Sequence, residues 1–127
     1  MIQLRFGGKL GDVIDSKTGE MVSPRCMGEA KIVVNDETRY NVGVAQMGGD
    51  EAFVPWLQQI VIQCVNMALG AMVFEKPVLE AIKDEALATA TKQNADNELD
   101  AYGCSIEFNM LDVMLGQDDV DRLNAAG

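Results

Sequence analysis

Apolar and polar side chains alternate along much of the first fifty residues, and a period of two predicts β-strands. The alternation occurs in four stretches, at residues 2–6, 10–14, 26–34 and 40–46. The second stretch runs into Asp15–Gly19, whose Asp, Ser and Gly residues are typical of a turn, so we expect a hairpin there. The N-terminal part is therefore predicted to be an antiparallel sheet of about four strands.

The period changes to that of a helix after Asp50. Apolar residues then recur at the i, i+3, i+4 spacing, which predicts a helix over residues 54–74 with Asp50 as a candidate cap and Pro55 in the first turn. They lie at positions 57, 60, 61, 64, 65, 68, 69 and 72.

Residues 52–74 contain no charged side chain, which is also the composition of a membrane span. A span would place four amides in hydrocarbon, where their hydrogen bonds have no water to satisfy them. These amides belong to Gln58, Gln59, Gln63 and Asn66. We therefore expect a core helix lying across the sheet and no transmembrane segment.

A second helix is predicted from Pro77, because proline favours the first helical position. Its pattern weakens at residues 92–97, where we expect a break, and Gly103 is suited to end the helical region.

A further strand follows Gly103, because apolar residues alternate from Cys104 to Met110. Their phase reverses at Leu111, which predicts a bulge or a strand end near Met110. Acidic residues at 118 and 119 then favour a short C-terminal helix through Leu123. The predicted fold class is α+β, a single domain over residues 1–127, with an N-terminal antiparallel sheet, two helices packed on it, a strand and a short C-terminal helix.

Composition narrows the class of protein. The chain has 127 residues, 48% of them hydrophobic, which is enough for one folded core and excludes disorder. Its net charge of −10 opposes binding to nucleic acid or to an anionic bilayer. Three cysteines without the spacing of a disulfide scaffold indicate a reducing compartment, so a cytoplasmic location is expected.

The catalytic templates that depend on imidazole are excluded, because the chain has no histidine. Cys26, Cys64 and Cys104 lie among apolar neighbours, where a thiol usually serves packing. The Gly7–Lys9 segment has no second glycine before it at the spacing of a phosphate loop and no Ser or Thr after the lysine, so it predicts a glycine turn instead.

Two acidic segments could attract a cation, at Asp15–Gly19 and at Asp118–Asp121. Neither has the ligand frame of a calcium loop. We therefore predict no catalytic, cofactor-binding or metal-binding residues, and no enzymatic activity.

Three segments in the C-terminal part of the chain are Leu99–Gly103, Cys104–Phe108 and Asp118–Leu123. Their order, a helix that ends in a Tyr-Gly step, then a strand of alternating aliphatic residues and then an acidic helix start, resembles the SPFH (Band 7, stomatin-prohibitin-flotillin) family. The N-terminal segments are similar to the bacterial virion-core-protein-like branch, where a turn leads into an Arg-x-x-Gly strand that closes on Asp. They are Asp15–Gly19, Pro24–Ala30 and Ile32–Asp36.

The resemblance implies a non-catalytic scaffold domain that self-associates laterally into membrane-associated or higher-order assemblies. Its implied partners are copies of itself and membrane-associated proteins, at the inner face of a membrane. The family usually has a hydrophobic anchor before the domain and a coiled coil after it, so these residues are expected to be a domain excised from a longer chain.

Two other functional classes stay open. A small acidic secretion-type chaperone or adaptor that binds a protein partner fits the length, the acidity and the mixed sheet, although such chaperones normally begin with a helix. An enzyme that uses carboxylates alone would need two acids brought together by the fold.

Overall fold

The computed structural model describes residues 2–126 and confirms the predicted α+β class, with helices packed on an antiparallel sheet. The strands and helices are, in chain order, β1 (Ile2–Lys9), β2 (Val13–Ile14), β3 (Met21–Val22), β4 (Arg25–Val34), α1 (Glu37–Met47), α2 (Asp50–Met72), α3 (Val78–Ala81), α4 (Glu85–Leu99), a short 3₁₀ helix (Asp100–Tyr102), β5 (Cys104–Met114) and α5 (Gln117–Ala126).

The main sheet has three antiparallel strands in the order β1-β4-β5, so the N-terminal β4 lies between the first strand and the last. Its alternation buries small or branched residues on one face and leaves charged ones on the other. The buried residues are Cys26, Gly28, Ala30 and Ile32. The predicted hairpin is confirmed as a separate ribbon, in which β2 pairs with β3 around the Asp15–Gly19 turn.

Helices α2 and α4 pack on each other and cover the inner face of the sheet. The apolar stripe of α2 supplies most of the residues that fill this space: Phe53, Leu57, Val61, Cys64, Val65, Ala68 and Leu69. The predicted core helix is thus confirmed as a cover for the sheet. By length and composition α2 could also cross a membrane, but a single such helix is weak evidence, because core helices of water-soluble proteins pass the same test.

The prediction of a fourth strand is wrong, because residues 40–46 lie inside helix α1. Asp36 caps this helix by accepting a hydrogen bond from the Arg39 N–H at 3.2 Å. Gly48 ends it in the left-handed conformation with φ 119°. Tyr40 and Val44, two residues of the apparent alternation, are also one helical turn apart and face the core together.

Three smaller expectations also differ from the structure. The Gly7–Lys9 segment forms no turn, because it stays paired with β4 to the end of β1. The interruption of the second helix lies at residues 82–84 and not at 92–97, so α3 and α4 are separate helices. Helix α2 starts at Asp50 after an N-cap Gly49, which places Pro55 in the second turn.

The predicted bulge is confirmed in β5. Glu29 pairs with Met110 and Ala30 with Phe108, so Asn109 is the extra residue. Beside the bulge, Gly28 approaches its neighbours so closely that a β-carbon would lie 2.3 Å from the Met110 carbonyl oxygen and 2.4 Å from the Phe6 ring. Only glycine fits at this crossing of β4 with β5.

Substitution of Gly28 with alanine is expected to lower the free energy of unfolding by about 1–3 kcal/mol, because backbone atoms must move to admit the methyl group. Gly70→Ala is the matched control, since nothing lies within 4 Å of its β-carbon position and alanine favours a helix. Urea unfolding followed by circular dichroism measures both. Equal stability of the two variants would contradict the close packing at the bulge.

Candidate interaction surface

The three thiols are buried and unpaired. Burial raises the pKa of Cys64 and of Cys104 to about 11 and also raises the pKa of Cys26. A thiol in such an environment stays protonated near neutral pH and is a poor nucleophile. All three occupy the place in the core that their apolar neighbours predicted.

The carboxylate of Asp15 joins the hairpin turn to the helical layer. It accepts hydrogen bonds from the Thr18 N–H at 3.0 Å, the Thr18 hydroxyl at 2.7 Å and the Val78 N–H at 2.9 Å. Burial alone would raise the pKa of Asp15, but these hydrogen bonds outweigh it and lower the pKa below its usual value. The sequence pattern predicts the turn but not this link to α3, because no local pattern predicts a contact across 63 residues.

Asp119, at the start of α5, helps to attach this helix to the hairpin. Asp119 accepts a hydrogen bond from the Ser23 N–H at 3.0 Å and pairs with Arg122, and the Ser23 bond is the main reason that its pKa is lowered. Arg122 also donates to the Met21 carbonyl at 3.0 Å. Within residues 2–126, no three His, Cys, Asp or Glu side chains are grouped as metal ligands.

Both edges of the main sheet receive side chains from the helix above them. On the β1 side, the Gln58 amide donates to the Arg5 carbonyl at 2.8 Å, and the Gly11 N–H donates to Asn66 at 2.9 Å. Gln58 and Asn66 are two of the four residues whose side-chain amides would be unfavourable in a membrane span. The Arg5 carbonyl lies on the edge strand β1, and Gly11 lies just beyond the end of that strand, which explains the place of both amides on an otherwise apolar helix.

On the β5 side, a Lys92–Asp96 pair of α4 binds both polar groups of Ile106. The Ile106 N–H donates to Asp96 at 2.8 Å, and Lys92 donates to the Ile106 carbonyl at 2.6 Å. Side chains that occupy edge groups hinder the addition of another strand. Edge pairing is therefore blocked at this point of β5.

The outer face of the main sheet is open, because the side chains that point away from α2 and α4 are exposed or half-buried. We call this surface the open face and define it by the outward side chains of its strands. They are Gln3, Arg5, Gly7 and Lys9 on β1, Arg25, Met27, Glu29, Lys31 and Val33 on β4, and Ser105, Glu107, Met110, Asp112 and Met114 on β5.

The open face differs in charge from the rest of the chain. It carries four basic and three acidic side chains, a net charge of +1. Because the whole chain has a net charge of −10, the residues outside the open face together carry −11. Two ion pairs lie across its strands, Arg5 with Glu29 at 3.1 Å and Lys31 with Glu107 at 3.2 Å. Its methionines are well exposed, Met27 by 47%. The alternation in β4 predicted the charged side chains, but the contributions of β1 and β5 depend on strand pairing.

A second exposed surface is an apolar groove between the hairpin and the end of α2. Its volume is about 510 Å³, and Ile14, Gly70, Val73 and Phe74 line it with Val13. The Phe74 side chain is 87% exposed, although phenylalanine is usually buried. This groove lies on the helical side of the molecule and is separate from the open face.

Comparisons with known protein families and with curated proteins find no match for this chain.

Substitution of Asp15 with asparagine is expected to cost about 1–3 kcal/mol at neutral pH, because an amide cannot accept at both ends and leaves a buried donor unsatisfied. The pKa of Asp15 is lowered from 3.8 on folding, so its contribution is present above that pH and is lost as the pH falls through the folded value. The difference in urea midpoint between wild type and variant should therefore shrink at acidic pH. Asp118→Asn, at an exposed position, is the control. A pH-independent difference would contradict the role of the Asp15 charge.

Proposed function

We propose that this chain is a non-catalytic scaffold domain that self-associates laterally through the open face of its sheet. The observation that carries the proposal is a sheet with one face covered by helices and the other face uncovered, mixed in charge and rich in exposed methionine. Flexible methionines suit a contact surface, since they adapt to a partner at low cost.

The size of the open face indicates a weak contact. Three strands about 4.8 Å apart and eight residues long give about 400 Å² per copy, or about 800 Å² for a pair. Stable interfaces bury more than about 1,000 Å². A contact of this size is suited to an assembly in which many copies repeat it or a longer chain reinforces it.

The resemblance to the SPFH family supports the same function, since it implies side-by-side association at a membrane. It also suggests copies of the chain and membrane-associated proteins as partners, and a cytoplasmic location at the inner face of a membrane. The buried, protonated thiols fit a domain without enzymatic activity, as does the use of Asp15 and Asp119 for structural hydrogen bonds.

A secretion-type chaperone or adaptor is the second candidate, and the apolar groove beside Phe74 favours it. A groove of about 510 Å³ with exposed apolar walls could hold part of a partner protein. A chaperone of this kind is typically a closed two-fold dimer, whereas lateral assembly uses two different surfaces.

Sedimentation velocity over a concentration series tests the proposal. We expect weak, reversible association that strengthens from low salt to about 0.15 M, because salt screens the repulsion between copies of net charge −10. Met27→Glu should weaken the association because it adds a charge to the open face. Met67→Glu, on the exposed side of α2, adds the same charge and should have the smaller effect.

Two results would contradict the proposal. One is a chain that stays monomeric at all concentrations and salt levels. The other is a stable dimer whose affinity does not change with salt and is reduced by Phe74→Glu but not by Met27→Glu, which would favour the chaperone.

A further inference from the structure

The geometry points to a head-to-tail contact in which a cationic row at one end of the open face meets an acidic end of the next copy. The cationic row is Lys9 and Arg25, and the acidic end is formed by Asp36, Glu37 and Asp100. This inference rests on the proposed self-association and specifies its partner surface and its direction.

The cationic row is the feature that an isolated monomer does not explain. Lys9 and Arg25 lie directly opposite each other on β1 and β4, and like charges in this position are unfavourable. Neither forms an ion pair within 4 Å in the part of the chain that the structure describes, although Asp112 lies in the neighbouring row. The chain has twice as many acidic as basic residues, so two adjacent free cations are notable.

Exposed apolar area surrounds these cations. Met114 pairs with Arg25 in the same row, Met27 pairs with Gly7 in the next, and both methionines are exposed. An acidic segment seated here would neutralise Lys9 and Arg25 and cover the two methionines.

The acidic end lies where β4 stops and β5 begins. The Asp36 N–H donates to the Gly103 carbonyl at 2.9 Å, and the Gly103 N–H donates to the Asp100 carbonyl at 3.0 Å, so the start of α1 and the 3₁₀ helix are held together. Asp36, Glu37 and Asp100 are exposed and form no ion pair among the described residues. Arg39 is the basic residue on this part of α1.

The two charged surfaces lie at opposite ends of the sheet and cannot meet within one molecule. Arg25 begins β4 and Val34 ends it, and a strand of ten residues spans about 33 Å. When the cationic row of one copy binds the acidic end of the next, the pair still has one cationic row and one acidic end free for further copies. It therefore extends into a chain or closes into a ring, unlike a two-fold dimer.

Charge reversal on both surfaces tests the inference. The first variant, K9E/R25E, makes the cationic row acidic, and its control K17E/K83E changes the net charge equally at two exposed lysines without ion pairs among the described residues. The second variant, E37K/D100K, makes the acidic end basic, and E75K/E98K is its control. All are compared by sedimentation velocity, after circular dichroism has verified their helix content.

Each reversed variant should associate about twofold to thirtyfold more weakly than its control, the range expected for two exposed ion pairs. The difference should shrink at high salt. An equimolar mixture of K9E/R25E and E37K/D100K should recover the association, because every contact between unlike variants then joins opposite charges. If a reversed variant fails to fold, the neutral pair K9Q/R25Q against K17Q/K83Q provides the same comparison.

The results separate this inference from the proposed function. The head-to-tail contact is overturned if the wild type associates but K9E/R25E associates as strongly as its control. It is also overturned if the mixture associates as weakly as its components. Either result leaves self-association standing. Wild-type chain that is monomeric under all conditions would overturn both.

Discussion

The structure depends on the coverage of a three-stranded sheet by a single layer of helices. Three strands bury enough apolar surface only if one face is packed against another element. Helix α2 provides that cover over β1, and α4 extends it over β5. The same helices bind the sheet edges, through Gln58 at the Arg5 carbonyl and through Lys92 and Asp96 at Ile106. Packing and edge protection therefore come from the same two helices.

This arrangement concentrates the available binding surface on the other side of the sheet. Because a side chain occupies backbone groups on each edge, strand addition is hindered there, and the outer face of the sheet stays available for association. That face carries a net charge of +1 on a chain of −10, so it does not contribute to the net negative charge that repels another copy. The scaffold function that we propose therefore rests on how the fold covers its sheet, and the resemblance to the SPFH family suggests the same function.

Most of the fold was predictable because its elements carry strong local periods. The stripe of α2, the alternation of β4 and the reversal of phase near Met110 each mark a feature that the structure contains. Residues 40–46 were misassigned because Tyr40 and Val44 satisfy both periods, and the Asp36 cap decides for the helix. The separation of α3 from α4 was not predicted, because only residues 82–84 lie between the two helices and Asp84 caps α4 at once.

The candidate surface was less predictable, because it depends on which strands are neighbours. The sequence indicates that Arg25 and Lys31 point away from the core, but the position of Lys9 beside Arg25 follows from the pairing of β1 with β4. The bonds of Asp15 to Val78 and of Asp119 to Ser23 likewise join residues far apart in the chain. Single-sequence patterns describe local structure and carry no information about such contacts.

Methyl NMR of protein labelled at the methionine ε-carbons tests most directly whether the open face mediates association. Met27, Met110 and Met114 lie on this face, whereas Met67 lies on the exposed side of α2, so each surface has its own probe. As protein concentration increases, the signals of the three sheet methionines should shift while that of Met67 stays constant. Shifts at Met67 with unchanged sheet methionines would contradict association through the open face.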